Sequence, residues 1–475
     1  MIAIALGALA GLGQAPQGWW LLTLCAVAFW LSRPALTGRG AFLHGWLFGL
    51  GYFAVSLRWI VSPFLVDPSE TGWMAPFGLA FMAAGAALFW GVSRWIAFRI
   101  APTSFVVTAL MIIIAEVSRS YILTGFPWAL LGHVWIDTPL SQLAAYGGPH
   151  LLTVVTLALA ICLVWIAQKR WVALVGPVFA ALCWIGLTVG PAPINDGPIV
   201  RLIQPNAKQS EKWDPERAQV FFNLMIDFTG QGDVPDLIVW PETAISYLLE
   251  YATPELDLVA EAARGAPTVL GINRSEGLRF YNALLVLEQG GIVSSVYDKA
   301  HIVPFGEYFP GGELLRQFGI DSFAASTGGA FTAGSAPRNV TIPGIGSARP
   351  LICYEGIFAE EIGTAERPRL MILITNDAWF GPSAGPKQHL AQARLRAIEQ
   401  GLPMVRVANT GISAIIDARG RVIAQIGMNE ANYLDAPLPL ARAATTYSKR
   451  GDWPILFVIL STLLGCAVRS RRIWN

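Results

Sequence analysis

A chain of 475 residues that is 54% hydrophobic and only 14% charged falls well below the charged fraction of about a quarter found in soluble domains. The apolar excess lies almost wholly before Pro191 and after Trp453, and the middle has ordinary soluble composition. A net charge of +1, with no Lys/Arg-rich run and no aromatic RNA-binding pattern, excludes a nucleic-acid partner.

A helix crosses the hydrocarbon core with about 20 apolar residues, and about 17 at the least. Candidate spans lie at about 2–15, 17–32, 41–62, 73–98, 103–122, 139–167 and 171–190, with an eighth at about 453–468. Met1–Leu6 has no basic n-region, so it reads as the first helix of a bundle and not as a cleaved signal. Arg33 and Arg39, Arg94 and Arg99, Lys169 and Arg170, and then Arg469, Arg471 and Arg472 fall at alternate span ends, while Asp67, Glu70 and Asp137 mark the opposite loops. The positive-inside rule therefore predicts a multi-pass inner-membrane protein with both termini in the cytoplasm, and puts the segment between spans seven and eight in the periplasm. His44, Arg58, Glu116, Arg119, His133 and His150 lie in or beside spans. Interfacial snorkelling accounts for such residues, and lipid head-group contact is the functional alternative.

The predicted organisation is a transmembrane bundle over 1–195, a soluble α/β domain over 196–447, and a last span with a basic tail over 448–475. Within the soluble part, Ile199–Ile203, Leu237–Trp240, Thr268–Ile272, Ala283–Leu287, Pro350–Cys353, Leu370–Ile374 and Met404–Val407 are short apolar runs. Several are continuous rather than alternating, as in strands covered on both faces. Helices are expected over Asp214–Phe228, with Asp214 as N-cap and Pro215 in the first turn, and over Pro386–Gln400. Strands alternating with helices indicate a layered α/β domain.

Cys353 is the only cysteine of the soluble part, so it has no disulfide partner there and lacks the companions of a structural zinc site. It is either a buried passenger or a nucleophile. Glu242, Lys299 and Cys353 each follow an apolar run, at strand ends that can converge on one crevice. A thiol nucleophile needs a base and a cation or N–H donors for the oxyanion; Glu242 and Lys299 can fill those roles and would favour thiolate near neutral pH. A structural ion pair is the plain alternative for Glu242 and Lys299, and a Cys–His pair with His301 or His389 is the other arrangement the residues allow. No metal or cofactor is expected.

Trp240-Pro241-Glu242, Tyr297-Asp298-Lys299-Ala300-His301-Ile302-Val303-Pro304-Phe305-Gly306-Glu307-Tyr308, Cys353-Tyr354-Glu355 and Thr375-Asn376-Asp377-Ala378-Trp379-Phe380-Gly381 occur in this order between the spans. In these motifs the soluble part resembles the nitrilase, or carbon–nitrogen hydrolase, superfamily, and the whole chain resembles the apolipoprotein N-acyltransferase family. The resemblance implies an extracytoplasmic αββα sandwich and a Glu242–Lys299–Cys353 triad. It also implies acyl transfer from a phospholipid, typically phosphatidylethanolamine, through a Cys353 thioester to the N-terminal amine of a diacylglyceryl-cysteine apolipoprotein, by a monomer. Glu307 would orient Lys299 or Glu242, and the backbone near Tyr354 would give a second oxyanion donor. Tyr354 and Glu355 would support the site, and Trp213, Asn282 and Trp379 would contact substrate. For Glu355 a capping role is the plain alternative, and for Trp213 and Trp379 ordinary packing.

The triad residues themselves leave open a membrane-tethered amidase that uses water, because both reactions pass through a thioester. A ligand-binding receptor or transporter is the rival from another class. Ser246–Leu249, Phe309–Phe323 and Gly356–Phe358 are candidate loops for dipping to the bilayer and excluding water.

Overall fold

The computed structural model describes all residues except 189, 191–195, 309, 311–330, 336–337, 364–365 and 475. The chain forms two compact units: residues 1–191 with 383–400 and 444–475, and residues 192–382 with 401–443.

The first unit is helical, and each of the eight expected spans contains a helix, from Ile2–Gly11 to Trp453–Trp474. By length and composition two helical stretches suffice to cross a membrane, Pro68–Ile100 and Pro139–Ala167. A third is reached if Gly38–Ser56 and Arg58–Leu65, bent by 63°, form one crossing. Ile2–Gly11, Trp20–Leu31, Trp171–Gly186 and Trp453–Cys466 are apolar but shorter. A ten-residue helix such as Ile2–Gly11 rises only about 15 Å, half of a core about 30 Å thick. Among the described residues, length and composition thus give two or three crossings, and the expected eight are not reached by that measure.

Of the six polar residues expected in or beside spans, His44 and Arg58 are half-buried and four do not snorkel. Glu116, Arg119, His133 and His150 are buried. Glu116 accepts from Trp90 Nε1 at 2.9 Å, from Arg119 Nη2 at 3.2 Å and from the Leu131 backbone N–H at 2.9 Å. Arg119 Nη1 donates to the carbonyls of Phe126 and Trp128. The pair fastens the 126–131 loop to two helices.

The second unit contains thirteen described strands. These are β1 (Ile199–Gln204), β2 (Leu237–Val239), β3 (Ile245–Leu248), β4 (Thr268–Glu276), β5 (Arg279–Leu287), β6 (Val293–Asp298), β7 (Val340–Ile342), β8 (Gly346–Ile352), β9 (Leu370–Thr375), β10 (Met404–Ala408), β11 (Ser413–Ile416), β12 (Val422–Ile426) and β13 (Asn432–Pro437). They form one sheet in the order β13-β1-β2-β4-β5-β6, with β3 also on β4, and a second in the order β12-β11-β10-β9-β8-β7. The continuous apolar runs become parallel neighbours: β1 with β2, β2 with β4, β8 with β9, and β9 with β10.

Strand alternation sorts the side chains between two cores. Val200, Leu202, Val239, Val269 and Leu284 of the first sheet meet Ile352, Ile372, Ile374, Val405 and Val407 of the second. Facing the other way, Ile203, Trp240, Leu270 and Ile272 pack with Phe222 and Met225 of the helix Pro215–Gly230 and with Leu256 and Val259 of Thr253–Ala263. Asp214 caps the first of these helices, accepting from the backbone N–H of Glu216 and Arg217. This unit by itself is helix on sheet on sheet. The helix expected over Pro386–Gln400 forms as Gly385–Gln400 but belongs to the first unit, where Ala391, Leu395 and Ile398 pack with Leu24, Val134, Trp135 and Leu140. It is buried along almost its whole length, polar residues such as Gln388, Arg396 and Glu399 included, so polarity does not mark the side it serves.

Candidate active site

β8 ends at Ile352, and the chain then turns sharply through Cys353–Ile357 with Cys353 at φ +52°. A left-handed backbone costs a residue other than glycine on the order of 1–3 kcal/mol, so the neighbours must hold it. Glu355 does this. Its carboxylate accepts from the backbone N–H of Ile352 at 2.7 Å, of Ala300 at 2.7 Å and of His301 at 3.2 Å, and from the Tyr297 hydroxyl at 2.7 Å. Burial still pushes the Glu355 carboxyl above its ordinary value, against these donors. The plain capping role therefore describes what Glu355 touches.

Glu242 lies three residues beyond β2, Lys299 directly follows β6, and Asn376 directly follows β9. Both Glu242 oxygens are engaged: Asn282 Nδ2 donates to Oε1 and the Asn376 backbone N–H to Oε2, each at 2.7 Å. Lys299 Nζ stands 4.0 Å from Glu242 Oε1 and donates to Glu307 Oε1 at 2.8 Å. Glu307 is itself fixed by Asn282 Nδ2 at 3.3 Å and the Val303 N–H at 2.7 Å. The expected orienting role of Glu307 thus has a direct geometric form. β4 must pass close beneath this loop, and Gly271 permits it, since a Cβ there would lie 2.7 Å from Glu242 Cα.

Charge completes the picture. Burial would lower the Lys299 ammonium, but Glu307, Glu242 and Cys353 more than reverse this and raise it. Burial pushes the Cys353 thiol well up and Glu242 adds to the rise; Lys299 and a hydrogen bond with Thr375 only partly oppose it. Burial and the neighbouring Glu242 thus work against the thiolate expected near neutral pH, and of these two charged neighbours, Glu242 and Lys299, only Lys299 favours it. A base that takes the proton during attack suits such a site.

The remaining expected residues divide. Asn282, expected at the substrate, instead ties Glu242 to Glu307. Tyr354 is buried with its ring edge-on to Phe358. Trp213 is 48% exposed, with Lys212 Nζ 5.5 Å from its ring. Trp379 is half-buried in the turn Asp377–Phe380, and among the described contacts none brings it to the triad. His301 meets Glu361 at 2.6 Å and stacks on Phe358 at 3.9 Å, so the structure pairs it with these and not with Cys353. Phe358, expected in a bilayer loop, is 1% exposed in that stack. Tyr247 of the Ser246–Leu249 candidate is exposed, and Phe309–Phe323 lies, apart from Pro310, outside the described residues.

Sequence reasoning missed Lys212, Tyr297 and Asn376 as parts of the site. Tyr297 and Asn376 stood inside quoted motifs, and Lys212 adjoins Trp213.

The two-sheet unit with its Glu–Lys–Cys cluster at strand ends defines a carbon–nitrogen hydrolase, and the profile of that family matches residues 209–447. A second profile, the apolipoprotein N-acyltransferase N-terminal domain, matches residues 6–162. The chain is 34% identical to the apolipoprotein N-acyltransferase of Rhodopseudomonas palustris, covering 99% of this chain and 95% of that one. It is 36% identical to that of Bradyrhizobium diazoefficiens, covering 99% and 95%, and 36% identical to that of Caulobacter vibrioides, covering 93% and 88%. The chain belongs to the apolipoprotein N-acyltransferase family.

Proposed function

We propose that this chain is an N-acyltransferase that moves an acyl chain from a phospholipid, through a Cys353 thioester, to the N-terminal amine of diacylglyceryl-cysteine apolipoproteins. The observation that carries the reading is the buried Cys353 turn beside Glu242 and Lys299, in a chain similar along its full length to apolipoprotein N-acyltransferases. In the first step Glu242 takes the Sγ proton as sulfur attacks the ester carbonyl carbon. Lys299 faces the oxyanion that forms. Collapse breaks the ester bond, and the lyso-phospholipid leaves with the proton from Glu242. In the second step the amine attacks the thioester, Glu242 takes the ammonium proton, and collapse returns it to Sγ.

Phosphatidylethanolamine as donor, the eight-span topology with its catalytic domain over 196–447 in the periplasm and both termini inside, and action as a monomer are parts of the same proposal. Anchorage makes chemical sense: drawing an acyl chain out of a bilayer costs about 0.8 kcal/mol per CH₂.

The test incubates the full chain in detergent with phosphatidylethanolamine carrying a labelled acyl group. Wild type should acquire label that hydroxylamine releases, and Cys353→Ala should acquire none. A diacylated lipopeptide should then take up the label as an amide. Folded wild type that stays unlabelled sinks the reading, and label lost to water but never to the lipopeptide turns it into a hydrolase.

A further inference from the structure

Lys212 lies in the segment leading into the helix Pro215–Gly230, and it is 7% exposed. A lysine buried this far needs acceptors. Its Nζ donates to the Glu242 backbone oxygen at 3.1 Å and to Thr243 Oγ1 at 2.7 Å. These acceptors sit where Thr243 is held at φ +45°, a left-handed conformation that a threonine adopts only when constrained. Gly271 presses on the same loop, since a Cβ there would lie 2.6 Å from the Thr243 nitrogen. The Glu242–Thr243 peptide is thus held between a β4 glycine and an ammonium.

Lys212 also faces the chemistry. With Glu242 it lines a small, partly open cleft of ≈ 20 Å³, together with Phe221, Ala244 and Ser246. Burial pulls the ammonium down to about 8, while Glu242 and Cys353 both pull it up. Glu242 and Glu307 stand against Lys299 and Lys212, and Asp377 nearby is met by Arg406 at 2.6 Å. A proton moving from Sγ to Glu242 leaves a thiolate and Glu307 facing the same two cations. Without Lys212 that step would leave one negative charge uncompensated in a buried site.

We propose that Lys212 is a positioning residue of the acyl transfer: it pins the Glu242 backbone and supplies the second cation of the site. This rests on the thioester reading above. The mechanism then needs the ammonium charged, so turnover should fall as pH rises through about 8. The groups facing that charge are Glu242 and the Cys353 sulfur.

The test follows single-turnover thioester formation from labelled phosphatidylethanolamine by the full chain in detergent, from pH 6 to 10. Lys212→Met should slow acylation by about 10²-fold, the scale of removing one preorganised donor, with little change in donor KM, and should abolish the alkaline limb near pH 8. Lys212→Arg keeps the charge to far higher pH and should move that limb above pH 9. Wild-type acylation by Lys212→Met, or a limb still near pH 8 in either variant, overturns the proposal. If Lys212→Met does not fold, Thr243→Val, which keeps the ammonium but removes one acceptor, should slow acylation several-fold and leave the limb in place; an unchanged rate overturns the pinning role. Wild type that forms no thioester indicts the function reading instead.

Discussion

Two buried glutamates, one in each unit, are both fixed by hydrogen bonds and yet differ in kind. Glu116 meets Trp90, Arg119 and the Leu131 N–H, and Arg119 spends its other arm on backbone carbonyls. Its donors are an indole, a guanidinium and a peptide, none of which changes protonation near neutral pH. Glu242 meets Asn282, the Asn376 N–H and Lys299, but beside it stands a thiol that burial pushes up and a second ammonium pulled down to about 8. Burial and pairing alone therefore do not mark a reaction site. What marks it is a carboxylate whose neighbours can exchange a proton with it.

The sharpest way to break this comparison is to neutralise each glutamate. Glu242→Gln removes the base, so thioester formation per folded molecule should fall by about 10³-fold, within the range for general base catalysis, whatever stability is lost where a buried donor meets the new amide. Glu116→Gln should affect stability alone. Breaking a buried pair costs on the order of 3–5 kcal/mol, read as a lower melting temperature in detergent, with acylation per folded molecule unchanged. A stable, slow Glu116→Gln would move Glu116 into the reaction and dissolve the distinction.

The next effect is smaller, because it acts through geometry. Glu355 gathers three backbone N–H groups and the Tyr297 hydroxyl around the Cys353 turn. Glu355→Gln leaves buried donors facing an amide NH₂, costing about 1–3 kcal/mol. A displacement of about 1 Å at the sulfur slows attack by roughly 10²-fold. Acylation should fall by that factor and the melting temperature should fall with it, whereas Glu242→Gln should cut acylation about tenfold further for a similar loss of stability. Unaltered acylation in Glu355→Gln would show that the turn holds itself.

The sequence was most readable where one local rule decides. Continuous apolar runs became the parallel strands β2, β8, β9 and β10, and the Asp-Pro start signal became the Asp214 cap. Glu242 and Cys353 were found because each stands at the end of such a run, and Lys299 because it follows the mixed run Ile292–Tyr297. Lys212 was not, since its acceptors come from Glu242 and Thr243, about thirty residues on, and nothing near it in the chain says it is buried. Phe358 was misplaced for a related reason: an apolar side chain announces burial but not whether lipid or His301 covers it. Span ends were harder to read: each expected span holds a helix, but several of these helices are shorter than expected. The helix Ile2–Gly11 stops where Gly13, Gln14, Pro16, Gln17 and Gly18 follow, a polar and turn-rich break between two apolar helices.

The smallest expected effect concerns the thiol itself and tests what separates the two glutamates. Burial and Glu242 hold the Cys353 thiol above its ordinary value, so the thiolate fraction is small at neutral pH and grows with each added pH unit. A free cysteine titrating near about 8.5 reacts roughly tenfold faster at pH 9.5 than at 7.5, because its thiolate is nearly saturated by then. Cys353 should gain about 100-fold over the same interval and show no plateau when alkylated by iodoacetamide, with the chain's other cysteines replaced by serine. Glu242→Gln removes the negative neighbour and should bring the plateau to lower pH; Lys299→Met removes the opposing cation and should push it higher. A wild-type plateau below pH 8 would mean a preformed thiolate. Glu242 would then have no proton to take in the first step, and its difference from Glu116 would reduce to its position beside the sulfur.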